Sequence, residues 1–508
     1  MAAAGALLPL MIWASADYGA TWDELPRQAY GERIWRYYEG RLQLDRFRAD
    51  GSGSHLYGGL FEVVAIALQR QLDADPYRLR HGLNACVGWL GIVFCGVLAS
   101  RIAGPRAAAL AMLLLSVTPP YWGHAMNNPK DIPFAAAATA ALAAMAAVPA
   151  IHPLLTWRRA VLLGLAIGAA LAIRPGGLLF LGYAGVVLLV QGVRARLTHR
   201  QMAATALGYA CVVAIATTVP LPFWPWLQRE PYLGLLSAAA EVSHFEWRGT
   251  MIFMGADEHS MRLPWYYVPV WLGISMPLVV LGGALLSVTQ LRPGARAGLG
   301  AWGLLAAVLF PIAYVIARQA TLYDGLRHLL FVVPPLCALA ALGWLHALAR
   351  PRRAAAIAGA VLAIGIAEPV VFSLRNHPNE VVYFNPLVGG PRGAVGRYEL
   401  DYWGNCLLQA QRQIASLART AGMPVVVSGH RWRQMGANAA RLPQLVVRRP
   451  SVAAHHVEIV LHRGPRAWIE ALGARDDVLL QVETADGARL CSVVPGPAFG
   501  ELAARLRR

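Results

Sequence analysis

Long apolar runs recur along this chain, and they constrain its fold more than any other feature. About eleven are found, at residues 1–16, 81–100, 106–122, 132–150, 159–173, 176–192, 202–221, 266–288, 298–317, 328–348 and 354–373. A run of about 18 or more apolar residues can cross the roughly 30 Å hydrocarbon core of a bilayer. Only 14% of the residues are charged, whereas a soluble protein carries about 25%. The chain is therefore predicted to be a polytopic α-helical membrane protein with about eleven transmembrane helices.

The breaks between the runs alternate in charge, and this alternation predicts the topology. One set contains arginine but no Asp or Glu: Arg101 and Arg106; Arg158 and Arg159; Arg194, Arg196 and Arg200; Arg292 and Arg296; Arg350, Arg352 and Arg353. The other set carries the acids, in residues 17–80, at Asp131, in residues 222–265 and at Asp324. Positive loops face the cytoplasm. The N-terminus is therefore predicted to be cytoplasmic, and the acidic loops and the C-terminus extracytoplasmic.

The formal net charge of +17 is explained by cytoplasmic-loop arginine and by anionic lipid headgroups, without a nucleic-acid partner. The localisation that we expect is a bacterial inner membrane.

Residues 1–16 are predicted to form a first membrane helix, with a signal peptide as the alternative. Cys406 and Cys491 lie in the C-terminal region and can pair if it is extracytoplasmic, although their spacing alone does not decide this.

Three regions outside the membrane are large enough to fold. Residues 17–80, the first outer loop, read as two helices, over 27–39 and 55–72. Residues 222–265, the large outer loop, are predicted to contain an interfacial helix over 232–245. From residue 375 onward we expect a small α/β domain, with a helix near 403–420 and strands at 424–428, 444–448, 456–461, 478–483 and 490–494. The predicted domains are therefore 1–374, transmembrane and catalytic, and 375–508, extracytoplasmic.

Acids and cations collect in the predicted outer loops. The candidates are Asp23, Glu24, Lys130, Asp131, Arg174, His244, Glu246, Arg262, Tyr323, Asp324, Arg327 and His328. Lys130 is the one lysine in a chain whose 45 Lys and Arg residues are otherwise all arginine. Such residues can simply anchor helix ends at the interface, and Lys130 can snorkel to the lipid headgroups. Because both carboxylates and cations lie on the same side, we favour a functional cluster.

Several segments together resemble a known family. They are TWDELPRQAYGERIWRYY, HAMNNPKDIPFA, LPWYY, LYDGLRHLLFVVPP and YFNPLVGGPRGAVGRYELDYWG. Their order is similar to that of the GT-C glycosyltransferases, in the branch of the protein O-mannosyltransferases and aminoarabinose transferases, often called family 39-like. The glycine-rich part of the last segment lacks the strand-to-helix context of a dinucleotide loop. We interpret it as a loop that closes over the acceptor site.

The resemblance implies a reaction and a set of roles. Such enzymes pass a sugar from a polyprenyl-phosphate carrier to an acceptor on the outer face of the membrane, with inversion. The resemblance makes Asp23 the general base, with Glu24 adjacent and Asp131 as the second-loop acid. Arg327 and His328 would contact the donor phosphate. Lys130, Arg174 and Arg262 are further candidate phosphate contacts by their charge and position, although a helix stop at Pro175-Gly176 explains Arg174 equally well. Tyr323, Asp324, Glu246 and His244 are assigned to the acceptor side.

The residue types suit this chemistry. A carboxylate can take the proton of an attacking hydroxyl, and fixed cations stabilise the charge that grows on a leaving phosphate. Lys130 can also hold Asp131 ionised, because a nearby cation lowers a carboxyl pKa. No cofactor is required by the sequence, although Asp23 and Asp131 together can hold a divalent cation. The expected partners are the lipid-linked donor, membrane lipids and an acceptor that is a glycan, a lipid or a protein.

Two other classes of protein compete with this interpretation. A transporter or flippase of a lipid-linked glycan would place ionisable groups at the middle of the membrane and often contains repeated halves. This chain keeps its apolar runs nearly free of charge, and Glu368 is an exception late in the last run. A non-catalytic scaffold would not need acids and cations in its outer loops. The enzyme interpretation therefore predicts that function is lost when Asp23 is neutralised.

Overall fold

The apolar runs of the sequence form helices in the structure, a computed structural model that describes residues 2–47, 53–243, 245–291, 298–450 and 454–507. Three positions singled out in the sequence lie outside these ranges, namely His244, Arg292 and Arg296. The α-helices of the first 376 residues are α1 Ala2–Ser15, α2 Glu24–Tyr38, α3 Leu60–Gln71, α4 Pro76–Ala103, α5 Pro105–Ser116, α6 Pro119–Asn127, α7 Asp131–Ala146, α8 Trp157–Leu171, α9 Leu178–Arg194, α10 His199–Thr218, α11 Leu233–Ser243, α12 Tyr267–Ser275, α13 Leu278–Leu286, α14 Gly298–Ala317, α15 Val333–Leu348 and α16 Arg352–Asn376.

Six helical segments within the described ranges are long and apolar enough to cross a membrane. They are Pro76–Ala103, Pro175–Arg194, His199–Phe223, Gly298–Ala317, Arg327–Leu348 and Arg352–Asn376. A seventh is obtained if Tyr267–Ser275 and Leu278–Leu291, which are bent by 111° at their junction, form one span. The protein is thus an integral membrane protein with six to seven clear spans. The predicted number of about eleven is not confirmed, because the remaining apolar helices are shorter.

Proline residues interrupt two of the apolar runs, so that each run forms two helices instead of one. The run at 106–122 is divided into α5 and α6 at Pro119 and Pro120, and the bend between α12 and α13 falls at Pro277. Proline lacks an N–H group and disfavours helical geometry in the residue before it, so a helix ends there or begins anew. Continuous hydropathy in the sequence therefore hides two helix boundaries.

One span lies at the centre of the helical assembly. Arg327–Leu348 comprises a 3-10 turn, Arg327–Val332, followed by α15, and 83% of its apolar window is buried inside the protein. It packs against α4, α5, α13 and α14. A helix that is apolar on all sides is expected at such a buried position. This placement fixes Arg327, at the first turn of the span, inside the protein and away from lipid.

The outer regions fold largely as predicted. Helices α2 and α3 occupy the first outer loop, and α11 matches the helix expected over 232–245. The large outer loop also contains an antiparallel hairpin that was not predicted, β1 Thr250–Phe253 and β2 Ala256–His259. Its two turn residues, Met254 and Gly255, both have positive φ values, +53° and +83°. In the sequence, Gly255 is the only local indication of this hairpin, since tight hairpin turns favour residues that tolerate positive φ.

The C-terminal region forms the small sheet domain that the sequence predicts. Its strands are β3 Val425–Ser428, β4 Leu445–Val447, β5 Val457–Leu461, β6 Leu480–Glu483 and β7 Arg489–Pro495, in the order β4-β3-β5-β7-β6. The β3 strand pairs in parallel with β4 and β5, and β7 pairs antiparallel with β5 and β6. The helices are α17 Gly390–Ala394, α18 Cys406–Ala421, α19 Trp432–Ala439, α20 Arg466–Gly473 and α21 Phe499–Leu506.

A disulfide joins Cys406 on α18 to Cys491 on β7, across a Cα separation of 6.2 Å. The sequence left this pairing open. The bond fastens the helix to the sheet on which it packs, since α18 also contacts β6 and β7. Disulfides persist in oxidising compartments, and the pairing is consistent with the extracytoplasmic position expected for this domain.

The sheet domain lies directly on the segment that follows α1. The Asn438 side chain accepts a hydrogen bond from the Ala20 backbone N–H at 2.8 Å, and Arg441 donates to the Tyr18 carbonyl at 3.2 Å. Arg441 also pairs with Asp75 at 3.0 Å. The residues between α1 and α2, which include Asp23, are therefore held between the membrane helices and the C-terminal domain.

Candidate active site

The guanidinium of Arg327 brings together three carboxylates from distant parts of the chain. Its Nη1 atom lies 3.1 Å from Oδ2 of Asp23 and 3.4 Å from Oδ2 of Asp131. Its Nε atom lies 2.9 Å from Oδ2 of Asp324. Asp23 immediately precedes α2, Asp131 begins α7, and Asp324 lies in the turn before the Arg327 span. The starts of three helical elements thus converge on one cation.

Two further cations complete the cluster. The Lys130 ammonium lies 3.1 Å from Oδ2 of Asp23 and 5.0 Å from the ring centroid of Tyr57. Arg174 pairs with Oδ1 of Asp131, and its guanidinium carbon lies 5.8 Å from the Phe134 ring. Three carboxylates and three cations are therefore interleaved within direct contact, which balances their formal charges. We call Asp23, Asp131, Asp324, Lys130, Arg174 and Arg327 the ion cluster.

The sequence NNPKD builds one side of the ion cluster. The Asn128 side chain accepts a hydrogen bond from the Asp131 backbone N–H at 2.9 Å and donates one to its Oδ2 atom, also at 2.9 Å. Asn127 accepts from Trp403 Nε1 at 3.0 Å and donates to Asn405 at 2.9 Å. The two asparagines therefore orient Asp131 and tie this turn to the start of the C-terminal region.

Asp324 occupies a backbone conformation that side chains rarely adopt. Its φ is +58°, and the next residue, Gly325, has φ +64°. Aspartate tolerates the left-handed region better than most residues, but the conformation still costs about 1 kcal/mol. Two arginines bind the carboxylate that this turn presents, Arg327 through Oδ2 and Arg463 through Oδ1. These ion pairs offset the backbone strain.

The three carboxylates of the ion cluster differ in accessibility. The Asp23 side chain is 20% exposed, whereas those of Asp131 and Asp324 are 1% and 4% exposed. Asp131 and Asp324 each contact cations on both oxygens. Among the carboxylates of the cluster, Asp23 is thus the one that an incoming molecule can reach.

The charges of the cluster shift the pKa of its accessible members. Burial raises the pKa of the Asp23 carboxyl, but the positive charges of Lys130 and Arg327 lower it by more. The resulting pKa lies well below the ordinary value for an aspartate. Burial lowers the pKa of the Lys130 ammonium, an effect that Asp23 opposes. Burial also lowers the pKa of Arg174, to about 10. Asp23 is therefore ionised at neutral pH, and its basicity depends on what occupies the two cations beside it.

Aromatic rings surround the Arg327 guanidinium. Its central carbon lies 4.8 Å from the Tyr323 ring centroid and 5.1 Å from that of Trp403. Tyr323 stacks on Trp247 at 4.4 Å and meets the His328 ring edge-on at 4.6 Å. Cation–π contacts of this kind hold a guanidinium in place without neutralising it. Tyr323 and His328, both predicted site residues, are thus neighbours of the ion cluster.

Three predicted site residues within the described ranges lie apart from the cluster. Glu24 is buried and accepts hydrogen bonds from Thr21, with His81 Nε2 at 3.1 Å. Arg262 is exposed and lines a separate cavity of about 220 Å³. Glu246 is exposed and pairs with Arg248 at 3.1 Å. Each of the three has surroundings of its own, and Glu24 differs from Asp23 in this respect although the two are adjacent in the sequence.

Residues of the C-terminal region also contact the site, and the candidates named from the sequence do not include them. The Tyr402 hydroxyl lies 2.9 Å from His124 Nε2, and its carbonyl accepts from Trp22 Nε1 at 2.5 Å. Arg463, two residues beyond β5, reaches Asp324. Tyr402 and Trp403 belong to the segment YFNPLVGGPRGAVGRYELDYWG, which contributes to the family resemblance, so the sequence contains an indication of their role. Arg463 lies in no motif, and nothing in the sequence indicates that it contacts the site.

An open apolar groove of about 670 Å³ runs beside the site. Its walls come from α3, α4, α7 and α8, and it extends from Phe61 and Pro133 near the ion cluster to Arg101 and Arg159. Pro133 is two residues from Asp131, so one end of the groove opens close to the charged groups. The groove has the length and apolar character to hold a hydrocarbon chain.

The sequence predicts that Asp23 and Asp131 together can hold a divalent cation. No group of three or more His, Cys, Asp or Glu side chains is placed to hold a metal ion among the residues that the structure describes. Asp23 and Asp131, the pair considered for a divalent cation, share the Nη1 atom of Arg327 between them. A shared divalent cation stays a prediction.

Comparisons with solved proteins give matches over most of the chain. ArnT from Cupriavidus metallidurans bound to undecaprenyl phosphate has 17% identity and a TM-score of 0.49, covering 97% of both chains. The oligosaccharyltransferase of Archaeoglobus fulgidus tethered with an acceptor peptide has 11% identity and a TM-score of 0.44, covering 78% of this chain and 56% of its own.

The protein O-mannosyltransferase Pmt1-Pmt2 complex of S. cerevisiae bound to the sugar donor has 13% identity and a TM-score of 0.35, covering 46% of this chain and 34% of its own. These three structures are proteins to which the chain is similar. No protein-family model matches the chain, and no curated protein matches it.

Proposed function

We propose that this protein transfers a sugar from a polyprenyl-phosphate-linked donor to an acceptor on the extracytoplasmic face of the membrane, with inversion. One observation carries the proposal. Asp23 is the accessible carboxylate of the ion cluster, and two cations, Lys130 and Arg327, each lie 3.1 Å from its Oδ2 atom. A base and a phosphate-binding pair of cations thus share one small space, which is what transfer from a phosphate ester requires.

The donor would bind with its phosphate at these cations. Arg327, at the start of its span, can make two parallel hydrogen bonds to phosphate oxygens, whereas Lys130 acts as a compact point charge. Arg174 stands behind them, paired with Asp131. The apolar groove that opens near Pro133 would take the polyprenyl chain. The phosphate would then lie at headgroup depth while the hydrocarbon remains in an apolar environment.

The reaction moves one proton and one sugar. The acceptor hydroxyl loses its proton to Asp23 while its oxygen attacks the anomeric carbon from the face opposite the phosphate. The bond between the anomeric carbon and the phosphate oxygen breaks, and its electron pair leaves with the polyprenyl phosphate. Lys130 and Arg327 stabilise the charge that grows on the leaving phosphate.

Donor binding would also increase the basicity of Asp23. In the free protein Lys130 and Arg327 depress its pKa. A bound phosphate shares these two cations and adds its own negative charge nearby, and a like charge raises a carboxyl pKa. Asp23 thus becomes a stronger base when the donor is in place. This couples proton removal from the acceptor to the presence of the sugar donor.

The remaining residues have supporting roles in this proposal. Asp131 orients Arg174 and Arg327, and the Tyr323 ring, with Trp247 stacked on it, holds the Arg327 guanidinium in place. The catalytic region is residues 1–374, and the domain at 375–508 contributes to the site from outside. The charge alternation of the loops supports an extracytoplasmic site, with the N-terminus in the cytoplasm of a bacterium.

Turnover of radiolabelled polyprenyl-phosphate sugars by the purified protein in vesicles tests the proposal. The wild type is compared with Asp23→Asn and with Asp45→Asn, since Asp45 lies in the same outer loop but its side chain is 73% exposed and pairs with Arg229. We expect Asp23→Asn to lose at least ~100-fold in rate, and Asp45→Asn to match the wild type. Equal activity of all three would exclude Asp23 as the base. Transbilayer movement of the lipid without sugar transfer would instead favour a flippase.

A further inference from the structure

The C-terminal domain places one arginine against the membrane domain at the ion cluster. The Arg463 guanidinium binds three oxygens at once: Oδ1 of Asp324, Oε1 of Glu399 at 3.2 Å and the carbonyl of Tyr402 at 3.0 Å. Its side chain is largely buried. A guanidinium with its donors in a fixed fork holds the groups around it in one geometry.

Asp324 transmits this geometry to the reacting groups. One of its oxygens receives Arg463, and the other receives Nε of Arg327 at 2.9 Å. Arg327 in turn presents Nη1 to Asp23 at 3.1 Å. The chain of contacts therefore runs from Arg463 to Asp324, to Arg327 and to Asp23. Because Asp324 has a strained backbone at φ +58°, its side-chain position depends on these two ion pairs.

The same arginine also acts on the residue beside Asp23. The Arg463 guanidinium carbon lies 4.9 Å from the ring centroid of Trp22, and that of Arg431 lies 3.1 Å from it. Trp22 Nε1 donates to the Tyr402 carbonyl, which also accepts from Arg463. The C-terminal domain thus holds the cation that meets the donor phosphate and the segment that carries the base.

We propose that Arg463 is a positioning residue for the transfer reaction, which fixes Asp324 and, through it, the Arg327 guanidinium opposite Asp23. This rests on the proposed function. Arg463 does not reach the ion cluster's accessible carboxylate itself, so its effect is on the alignment of Arg327 with the leaving phosphate. The charge on that phosphate grows during the reaction, and misalignment therefore lowers kcat more than it raises the KM for the donor.

Steady-state kinetics of the full-length protein in vesicles, measured per folded molecule, test this proposal. The variants are Arg463→Met, Arg463→Lys and the matched control Arg475→Met, which removes an arginine of the same domain that pairs with Asp477 on the surface. We expect Arg463→Met to lower kcat by at least ~10-fold with a change in KM below ~3-fold, which is the signature of a lost transition-state interaction. Arg463→Lys keeps the charge at Asp324 and should recover part of kcat.

Asp324→Asn provides a second, independent measurement. If Arg463 acts through Asp324, the double variant Arg463→Met/Asp324→Asn loses no more than about the larger single effect, since the two residues act as a unit. Multiplicative losses would overturn the proposal, as would an Arg463→Met enzyme that matches Arg475→Met. If the wild type and Arg475→Met both fail to turn over any donor, the proposed function itself fails and this inference falls with it.

Discussion

Nη1 of Arg327 lies 3.1 Å from Oδ2 of Asp23, although 304 residues separate the two in the sequence. The contact joins the first outer loop to the outer end of the most buried span. Because Lys130 approaches the same carboxylate oxygen at 3.1 Å, Asp23 competes with any phosphate for both cations. A lipid phosphate that binds these cations, as we propose, must therefore displace part of the Asp23 interaction.

Neutralising Asp23 should tighten lipid-phosphate binding while it abolishes transfer. Asp23→Asn removes the anion that competes for Lys130 and Arg327, so we expect undecaprenyl phosphate to bind about 3- to 10-fold more tightly, equal to ~0.7–1.4 kcal/mol. Binding to the detergent-solubilised protein is measured by a fluorescence or thermophoresis titration, with Asp45→Asn as the control. Weaker binding by Asp23→Asn would contradict the assignment of these cations to phosphate.

Lys130 should be needed for its charge and its size. Lys130→Gln removes a cation that contacts Asp23, and we expect it to weaken undecaprenyl phosphate binding by about tenfold, or ~1.4 kcal/mol. Lys130→Arg keeps the charge, but the planar guanidinium must fit beside the Tyr57 ring, which lies 5.0 Å from the ammonium. It should keep binding and lose turnover, because Arg and Lys are not interchangeable at a tight site.

A loss of turnover in Lys130→Gln without any loss of binding would assign Lys130 to Asp23 alone. Arg41→Gln is the matched control for these variants, since Arg41 has an exposed side chain that pairs with Glu39 and does not line the apolar groove. It should bind undecaprenyl phosphate as the wild type does if the phosphate resides at the ion cluster.

The sequence predicted the elements better than it predicted their contacts. Helix positions follow from hydropathy and the strands of the C-terminal domain from short apolar runs, and both depend on local pattern. The breaks at Pro119 and Pro277 were visible as prolines, but how far a helix bends there depends on tertiary packing. Hence the helices are placed correctly by the sequence, whereas the predicted count of about eleven spans is not confirmed.

For the candidate site, too, the sequence predicted the residues better than it predicted their contacts. Six candidates stand at the predicted outer end of an apolar run, and the structure brings all six together: Asp23, Lys130, Asp131, Arg174, Asp324 and Arg327. Arg463 was not named, because it follows an ordinary strand and its contact with Asp324 spans 139 residues. Glu24, next to Asp23, turns instead to His81, since adjacent residues of a helix start point in different directions.

The pH dependence of kcat should differ from that of kcat/KM. In the free protein Lys130 and Arg327 hold the pKa of Asp23 below its usual value, so Asp23 stays ionised down to below about pH 4 and kcat/KM should lack an acidic limb from it above that pH. In the donor complex the phosphate raises this pKa, and kcat, which reports the complex, should fall at a higher pH than kcat/KM does.

Initial rates from pH 4 to 8, at saturating and at low donor, provide both profiles. Asp45→Asn should reproduce them. An acidic limb that appears in kcat/KM at a higher pH than in kcat would have the opposite sign and would contradict the coupling between donor phosphate and Asp23.

The disulfide between Cys406 and Cys491 should contribute to the activity through the C-terminal domain. It closes a loop with a sequence separation of 85 residues, and loss of such a crosslink typically destabilises a domain by about 2–5 kcal/mol. The Cys406→Ser/Cys491→Ser protein should unfold in its C-terminal domain at a lower temperature. Arg463 lies two residues beyond β5 of the sheet that this disulfide fastens to α18, so kcat should fall together with that transition. Cys211→Ser, which removes an exposed free cysteine in α10, is the control. Helix α10 is a membrane helix far from the sheet in sequence. If the disulfide variant and Cys211→Ser had equal effects on thermal unfolding and on kcat, the disulfide would hold nothing that the reaction needs.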